Sequence, residues 1–252
     1  MKYAIITGVS RGLGEAVANL FIESGINVIG ISRNSNKKLA AYAEENNITY
    51  QHFSCDVGNL NVLEQTIGQV SNYIFQEDPT TIYLVNNAAV LEPIGPATSI
   101  NNQSLQDHVQ VNTIAPMVLM NTFMHEAMEK DVRFIGVTIT SGAAENPYYG
   151  WSAYCSTKSS INMYTKTVAM EQDELQTGNK VIAFSPGVMD TKMQETIRAT
   201  SADDFIEVDT FRNYKQQNLL KNTDAVGGVL VDILTDESNM ENGKVYNVKD
   251  YF

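Results

Sequence analysis

The chain has few residues of the types that bind metals or form disulfides. Its 252 residues include two cysteines, three histidines and a single tryptophan. Cys55 and Cys155 lie far apart and belong to no CxxC or Cys/His pattern, so the sequence predicts neither a zinc site nor a disulfide framework. The histidines show no paired spacing and are interpreted as structural residues. We therefore expect no bound metal and two reduced thiols.

Positive charge is also scarce. The chain has 17 Lys and Arg against 29 Asp and Glu, a formal net charge of −12. A nucleic acid or an anionic membrane requires a basic surface, so neither is expected as a partner. An anionic small molecule remains compatible with this composition if positive charge is concentrated locally.

Long apolar runs are absent as well. No segment approaches the roughly 20 apolar residues that span a bilayer. The N-terminal stretch YAIITGVSRGLG lacks the long apolar core and the cleavage site of a signal peptide. We therefore expect a cytoplasmic protein.

Short runs of apolar and β-branched residues alternate with amphipathic segments along the whole chain. The predicted strands are residues 3–7, 27–32, 49–54, 81–86, 133–140, 180–185 and 244–248. Strict alternation of strand and helix predicts an α/β fold, with a mostly parallel, doubly wound sheet of seven strands and helices on both faces. Two predicted helices, 105–130 and 152–176, are unusually long. Because no repeat or linker interrupts the pattern, residues 1–252 are interpreted as one domain.

The least regular segment follows the sixth predicted strand, from residue 186 to about residue 209. Ligands of parallel sheets bind beyond the carboxyl ends of the strands. A loop in that position can close over a bound ligand. We therefore predict a substrate lid at about residues 187–215.

A glycine-rich turn, TGVSRGLG, joins the first strand to an amphipathic helix. Its glycines are Gly8, Gly12 and Gly14, and they allow a sharp turn that brings the backbone close to a pyrophosphate. The helix N-terminus adds free N–H groups and the positive end of a dipole. This position favours a nucleotide-binding turn.

The stretch GWSAYCSTK, residues 150–158, places Lys158 four residues after Tyr154. On a helix these side chains share one face about 5–6 Å apart. An ammonium near a phenol would lower the tyrosine pKa from about 10, which suits an acid that works near neutral pH. In a chain with 12 tyrosines such a pair also arises by chance, so its role depends on the rest of the site.

Further markers stand in order at the predicted strand ends: NNAA at 86–89, Asn112 in the next helix, Ser141 after the fifth strand and PGVMDT at 186–191. With the G-x-x-x-G-x-G turn, these markers resemble those of the short-chain dehydrogenases/reductases, over nearly the whole chain. The resemblance implies a single-domain Rossmann fold. It also implies a catalytic set of Asn112, Ser141, Tyr154 and Lys158.

The roles of these residues follow from the resemblance. Ser141 would bind the substrate carbonyl oxygen and Tyr154 would donate the proton. Lys158 would lower the tyrosine pKa and bind the nicotinamide ribose. Asn112 would hold a water for proton resupply, its alternative being a buried structural asparagine. Asp56 would bind the adenine amino group or merely cap its loop.

The resemblance also implies the cofactor contacts. They are Gly8, Ser10, Arg11, Gly12, Leu13, Gly14, Ser32, Arg33, Asp56, Val57, Asn87, Ala88, Tyr154, Lys158, Pro186, Gly187, Val188 and Thr191. Members that prefer NAD place an acid at the end of the second strand, where this chain reads ISRNSNKK. Ser32 and Arg33, with Lys37, Lys38 and Arg11 of the glycine turn, instead suit a 2′-phosphate. The predicted cofactor is NADPH.

Within the family, GWSAYCSTK and PGVMDTKMQ resemble the sepiapterin reductases and bacterial benzil reductases. This implies a small-molecule carbonyl substrate, such as one carbonyl of a vicinal, aromatic diketone like benzil, or a sepiapterin-like compound. Candidate substrate contacts are Ser141, Tyr148 or Tyr149, Trp151, Met189 and Met193, although Trp151 could simply pack the helix start. Two alternatives remain open, a 3-oxoacyl-thioester reductase and a non-catalytic NADPH sensor. The two long helices match those through which family members dimerise, so we expect a homodimer or homotetramer.

Overall fold

The computed structural model describes residues 1–252 and contains one sheet of seven strands. These are β1 (Lys2–Thr7), β2 (Asn27–Ser32), β3 (Tyr50–Ser54), β4 (Thr81–Asn86), β5 (Arg133–Ile139), β6 (Lys180–Ser185) and β7 (Val245–Asn247). Their order is β3-β2-β1-β4-β5-β6-β7, and every neighbouring pair is parallel. The predicted single-domain, doubly wound fold is confirmed, and the sheet is entirely rather than mostly parallel.

Helices cover both faces of the sheet because the strands are apolar on both sides. One face packs on α1 (Gly12–Glu23), α2 (Lys37–Glu45) and α9 (Thr223–Thr235), which share a core cluster with alternate strand residues. The opposite face packs on α3 (Leu60–Phe75), α5 (Ala115–Glu129) and α6 (Ser152–Glu174). None of the helices is both long and apolar enough to cross a membrane.

The strand order positions the site. Successive crossovers run outward from β1 to β3 in one direction and from β4 to β7 in the other. The connections therefore diverge at β1 and β4, which leaves a crevice beyond their carboxyl ends. Ligands of such sheets bind at this switch point.

The helix predicted over residues 105–130 is present, but its hydrogen-bond pattern changes in the middle. α4 (Asn102–Val109) is followed by a π-helical turn at Gln110–Ile114, and α5 begins only at Ala115. Pro116 lies in the first turn of α5 and has no N–H, so it cannot donate to the carbonyl of Asn112 as a continuous helix would require. Such π-turns are frequent at functional sites.

The segment after β6 is more regular than the sequence predicted. It forms α7 (Lys192–Ala199) and α8 (Val208–Gln216), which are joined through the Arg212 guanidinium. Its Nε donates to the carbonyl of Arg198 at 3.1 Å and its Nη2 to that of Thr200 at 3.3 Å. The helices form because their apolar residues have a partner surface, a cluster that includes Trp151.

Candidate active site

A cavity of about 1000 Å³ lies beyond the carboxyl ends of the central strands. Residues from the glycine turn, the ends of β2, β4, β5 and β6, the start of α6 and the α7–α8 segment line it. Most of the site residues predicted from sequence line this cavity; the exceptions are Gly14, Lys37, Lys38, Asn112 and Tyr149. The fold therefore brings together positions from almost the full length of the chain.

The glycine turn is shaped for a close ligand. Gly8 has a positive φ of +70°, and a Cβ at Gly14 would collide with the carbonyl oxygen of Gly8. Gly14 therefore allows tight packing behind the turn rather than lining the cavity. Asn87 holds the turn in place, since its Nδ2 donates to the carbonyls of Thr7 at 2.9 Å and Gly8 at 3.2 Å.

The N-terminus of α1 is left open at the cavity. Arg11 occupies the N-cap position, and no side chain caps the first N–H groups of the helix. Glu15, the acid of the first turn, instead accepts a hydrogen bond from Asn36 at 2.7 Å. Uncapped N–H groups beside a glycine turn form an anion-binding site.

Two cations line the same cavity as this anion site. Arg11 and Arg33 are exposed, line the cavity and form none of the ion pairs in the structure. Lys37 and Lys38 do not join them, because α2 carries both residues away from the cavity wall. The hydroxyl of Ser32 is engaged with the carbonyl of Asn34 at 2.9 Å and with the ring of His52 at 3.1 Å.

The structure is compatible with both roles considered for Asp56, a cap of its own loop and a contact to the ligand. Its Oδ1 accepts a hydrogen bond from the backbone N–H of Gly58 at 3.0 Å, as a loop cap does. The side chain is nevertheless exposed and lines the cavity next to Val57. Capping its own loop and facing a ligand are therefore compatible.

Ser141, Tyr154 and Lys158 meet at the end of β5. Tyr154 and Lys158 occupy the first two turns of α6 and are buried, with exposed fractions of 7% and 4%. The Nζ of Lys158 lies 5.6 Å from the centroid of the Tyr154 ring and donates to the carbonyl of Ile139 at 2.8 Å. Ser141 begins a short 3₁₀ turn, and its Oγ accepts from the N–H of Ala143 at 3.2 Å.

The prediction that Lys158 lowers the pKa of Tyr154 is wrong for this arrangement. Burial raises the pKa of Tyr154 to about 12, although a hydrogen bond with Ser141 partly opposes that rise. Burial likewise lowers the pKa of Lys158 to about 8. The dry site penalises both charged forms, and the ammonium bonds to a backbone carbonyl rather than to the phenol oxygen.

Asn112 has no free side-chain hydrogen-bonding group facing the cavity. Its Oδ1 accepts from the N–H of Val90 at 2.9 Å, while its Nδ2 lies 2.7 Å from the Val90 carbonyl and 2.9 Å from Nε2 of His108. The side chain thus matches the structural alternative. The water predicted for Asn112 would then have to be bound by its backbone carbonyl. Pro116 has no N–H and so cannot donate to this carbonyl.

His108 is a site residue that the sequence did not reveal. It is fully buried, its ring lies edge-on to Tyr154 at 6.2 Å, and its Nδ1 lies 2.7 Å from the carbonyl of Glu92. A carbonyl accepts only, so Nδ1 carries the proton and Nε2 accepts from Asn112. Thr157 lies 3.1 Å from the same Nε2. The neutral imidazole therefore ties α4 to α6 behind the catalytic tyrosine.

Aromatic rings line the cavity beside Tyr154. Trp151 stacks on Phe205 with centroids 4.4 Å apart and contacts the rings of Tyr154 at 5.4 Å and Phe211 at 5.5 Å. Tyr148 lies 5.2 Å from Trp151. Phe205 and Phe211 lie more than fifty residues along the chain from Trp151, so no sequence motif could have indicated them.

Of the remaining candidate substrate contacts, Met193 packs against this aromatic cluster. Met189 instead packs against the core cluster of α1 and α9. Tyr149 is exposed and lies outside the cavity wall, so the structure favours Tyr148 of that pair.

The C-terminal region also contributes residues that the sequence did not indicate. Lys221, Asn247, Val248 and Lys249 line the cavity. The backbone of Lys221 pairs with the loop after β6, donating to Val188 at 2.9 Å and accepting from Asp190 at 3.1 Å. This pairing fixes the loop that follows Pro186.

The sequence profile of the short chain dehydrogenase family matches residues 2–202. The chain belongs to this family. It is 38% identical to a benzil reductase ((S)-benzoin forming) of Bacillus cereus, over 94% of this chain and 95% of that protein. It is also 38% identical to the enzyme of the same description from Bacillus subtilis, over the full length of both. A bovine sepiapterin reductase is 25% identical over 79% of this chain and 77% of its own length. The resemblance predicted from the motifs is confirmed.

Solved structures share the fold. A short-chain dehydrogenase/reductase from Saccharomyces cerevisiae superimposes with a TM-score of 0.83 and 24% identity, covering 98% of this chain and 96% of that one. A Beutenbergia cavernae gluconate 5-dehydrogenase described with bound NADP has a TM-score of 0.82 at 20% identity, with 98% and 94% covered. The protein is thus an oxidoreductase of carbonyl and alcohol groups.

Proposed function

We propose that this protein is an NADPH-dependent carbonyl reductase that converts one carbonyl of a vicinal, aromatic diketone such as benzil into an alcohol. The observation that carries the proposal is 38% identity, over essentially complete chains, to two benzil reductases. The aromatic wall beside Tyr154 is consistent with a substrate that has two phenyl rings.

The residues present fit a dinucleotide with a 2′-phosphate. The close backbone packing of Gly14 on Gly8 and the uncapped start of α1 would hold the pyrophosphate. Arg11 and Arg33, both free of ion pairs, would bind the 2′-phosphate. The loop from Pro186 to Thr191 would surround the nicotinamide, which supplies hydride to the carbonyl carbon.

The chain's own residues then handle the carbonyl oxygen. Ser141 and Tyr154 donate hydrogen bonds to it, which stabilises the negative charge that develops on that atom. Tyr154 has a raised pKa of about 12, so it holds its proton at neutral pH until the oxygen becomes basic enough to take it. Lys158 is charged below about pH 8 and favours the tyrosinate that is left.

A vicinal diketone suits this site for two reasons. The second carbonyl withdraws electrons, which makes the first a better hydride acceptor. Burial of two phenyl rings against Trp151, Tyr148 and Met193 would contribute about 25 cal/mol for each Å² of apolar surface removed from water. Both effects favour an aromatic diketone over a simple ketone.

The alternative of a 3-oxoacyl-thioester reductase needs cations for an acidic carrier protein. The basic residues of the α7–α8 segment are already engaged. Lys215 pairs with Asp190 at 2.6 Å and Arg212 pairs with Asp209 at 2.8 Å. With a net charge of −12, the surface would repel an acidic partner.

The deciding experiment measures cofactor oxidation with benzil, sepiapterin and acetoacetyl-CoA, each with NADPH and with NADH. We expect kcat/KM for benzil to exceed that for acetoacetyl-CoA and NADPH to be preferred. A benzil to acetoacetyl-CoA ratio below one would replace the diketone proposal with the thioester alternative. Cofactor binding without turnover of any substrate would instead favour an NADPH sensor.

A further inference from the structure

One side chain joins the glycine turn, which carries Arg11, to the loop after β2, which carries Arg33. It belongs to Asn36, the last residue of that loop. Its Nδ2 donates to the carbonyl of Ser10 at 3.3 Å and to Oε1 of Glu15 at 2.7 Å. No other side chain of the loop bonds to the glycine turn or to the first turn of α1.

The two ends of the Asn36 amide bond to different segments. Its Oδ1 accepts from the backbone N–H groups of Lys38 at 3.0 Å and Leu39 at 3.4 Å, so Asn36 is the N-cap of α2. Its Nδ2 reaches the carbonyl of the peptide bond that precedes Arg11. The backbone at the base of Arg11 is thereby fixed relative to the start of α2, three residues after Arg33.

Two hydroxyl groups fix the loop from its other side. Ser54 of β3 donates to the carbonyl of Arg33 at 3.3 Å, and Ser32 donates to the carbonyl of Asn34 at 2.9 Å. These bonds hold the loop on the sheet but do not connect it to the glycine turn. The position of one arginine relative to the other therefore depends on Asn36.

Asn36 also determines the partner of Glu15. Glu15 lies four residues after Arg11, a spacing at which opposite charges on a helix commonly pair. The structure contains no such ion pair, and the Glu15 carboxylate bonds to the neutral amide instead. Arg11 therefore remains available to an anionic ligand in the cavity whose wall it lines.

We propose that Asn36 is a positioning residue for cofactor recognition, whose amide holds the glycine turn and the loop after β2 together so that Arg11 and Arg33 meet the same 2′-phosphate. This inference rests on the proposed preference for NADPH. Fixing both segments before binding reduces the cost of ordering them around the phosphate. NAD has a hydroxyl at that position, so its binding does not depend on the placement of the two arginines.

Asn36→Ser separates this tie from the helix cap. Serine is a good N-cap residue, so α2 keeps its cap, but the shorter side chain cannot span to Ser10 and Glu15. Tyr42→Phe is the matched control, because the Tyr42 hydroxyl joins α2 to Glu23 of α1 at the same 2.7 Å and lies outside the cavity wall. Calorimetric titration of the cofactor-free protein with NADP and with NAD measures binding without turnover.

We expect the Kd for NADP to rise about tenfold in Asn36→Ser, while the Kd for NAD changes less than about twofold. Tyr42→Phe should leave both constants within about twofold of the unmodified protein. The substitution is then repeated in a chain that already carries Arg11→Ala and Arg33→Ala. There Asn36→Ser should not change the ratio of the two constants further, because Asn36 acts through the arginines.

The outcomes distinguish this inference from the proposals on which it depends. Equal weakening of NADP and NAD binding in Asn36→Ser would show that the residue only supports the fold and would reject the inference. A further change of the ratio in the chain without the two arginines would reject it as well. An unmodified protein that binds NAD as tightly as NADP would reject the proposed cofactor preference, and this inference with it. Diketone reduction is measured separately, so failure of that proposal alone would leave this inference in force.

Discussion

His108 and Asn112 are joined behind the catalytic tyrosine by a hydrogen bond of 2.9 Å from the asparagine amide to Nε2 of the imidazole. This bond requires a neutral histidine, because an imidazolium has no acceptor. Burial lowers the pKa of His108, which keeps the ring neutral in the folded protein. The neutral ring thereby keeps α4 bonded to the π-helical turn that follows it, while the contact of its Nε2 with Thr157 reaches α6.

Replacement of His108 should reveal this link in stability and in its pH dependence. His108→Phe leaves one N–H of the Asn112 amide and the Glu92 carbonyl without a partner, so we expect a loss of about 1–3 kcal/mol in the free energy of unfolding at pH 7. A lowered pKa means that the unfolded chain takes up the proton more readily as the pH falls below 6.5. The unsubstituted protein should therefore lose stability on acidification through that range, and the variant should lose less.

Urea titrations at several pH values measure both effects. His125→Phe, on the exposed side of α5, is the control, and equal losses in both variants would contradict the assignment.

Tyr154→Phe should remove the proton donor and keep the fold. The ring contacts with Trp151 and His108 do not involve the hydroxyl. We expect kcat for carbonyl reduction to fall by about 10²–10⁴-fold, with cofactor affinity little changed. Tyr149→Phe, an exposed neighbour, should retain normal activity. If Tyr154→Phe kept more than a third of the kcat, the role assigned to Tyr154 would be wrong.

Cofactor preference should depend on Arg33 and Arg11. Arg33→Ala removes a charge-assisted contact to the 2′-phosphate, so the KM for NADPH should rise at least about tenfold while that for NADH barely changes. Arg11→Ala should act in the same direction. Lys38→Ala removes an equal charge away from the cavity and should have no such effect. Parallel changes for both cofactors would show that the arginines do not recognise the phosphate.

Lys158 should reduce the stability of the cofactor-free protein. Burial lowers its pKa from 10.5 to about 8, so between these values the unfolded chain binds more protons than the folded one. The cost of burying the charge is therefore complete below about pH 8 and disappears as the pH rises towards 10.5. We expect the free energy of unfolding of Lys158→Met to exceed that of the original protein by about 1–3 kcal/mol at pH 7. Near pH 10.5 the two proteins should have nearly the same free energy of unfolding. Urea unfolding at the two pH values tests this, and a less stable variant at pH 7 would contradict it.

We propose that the outer face of α6 forms an interface between copies of the chain. Met163 and Met170 lie two turns apart on this helix, and each is 65% exposed. Light scattering should give a multiple of the 27.9 kDa chain mass. Met163→Glu combined with Met170→Glu should shift the protein towards the monomer. Leu219→Glu alters an apolar residue outside α5 and α6 that is 58% exposed, and it should leave the mass unchanged.

The sequence by itself determined the features that depend on neighbours along the chain. Alternation of apolar runs and amphipathic segments specified the order of strands and helices, because each element must bury one face or both. The glycine turn and the Tyr154–Lys158 spacing are also local, since a turn or one helical face requires only a few consecutive residues. For the same reason, most of the residues predicted from these motifs line the cavity.

Only the tertiary structure decided what depends on residues that are distant in sequence. His108 is held at the site by contacts with Glu92 and Thr157. Phe205, which stacks on Trp151, comes from the segment that the sequence predicted to be irregular. The sign of the Tyr154 pKa shift was likewise decided by burial, because helical spacing places the lysine nearby but does not show how dry the site is. Burial depends on packing throughout the fold, so it cannot be predicted from a short stretch of sequence.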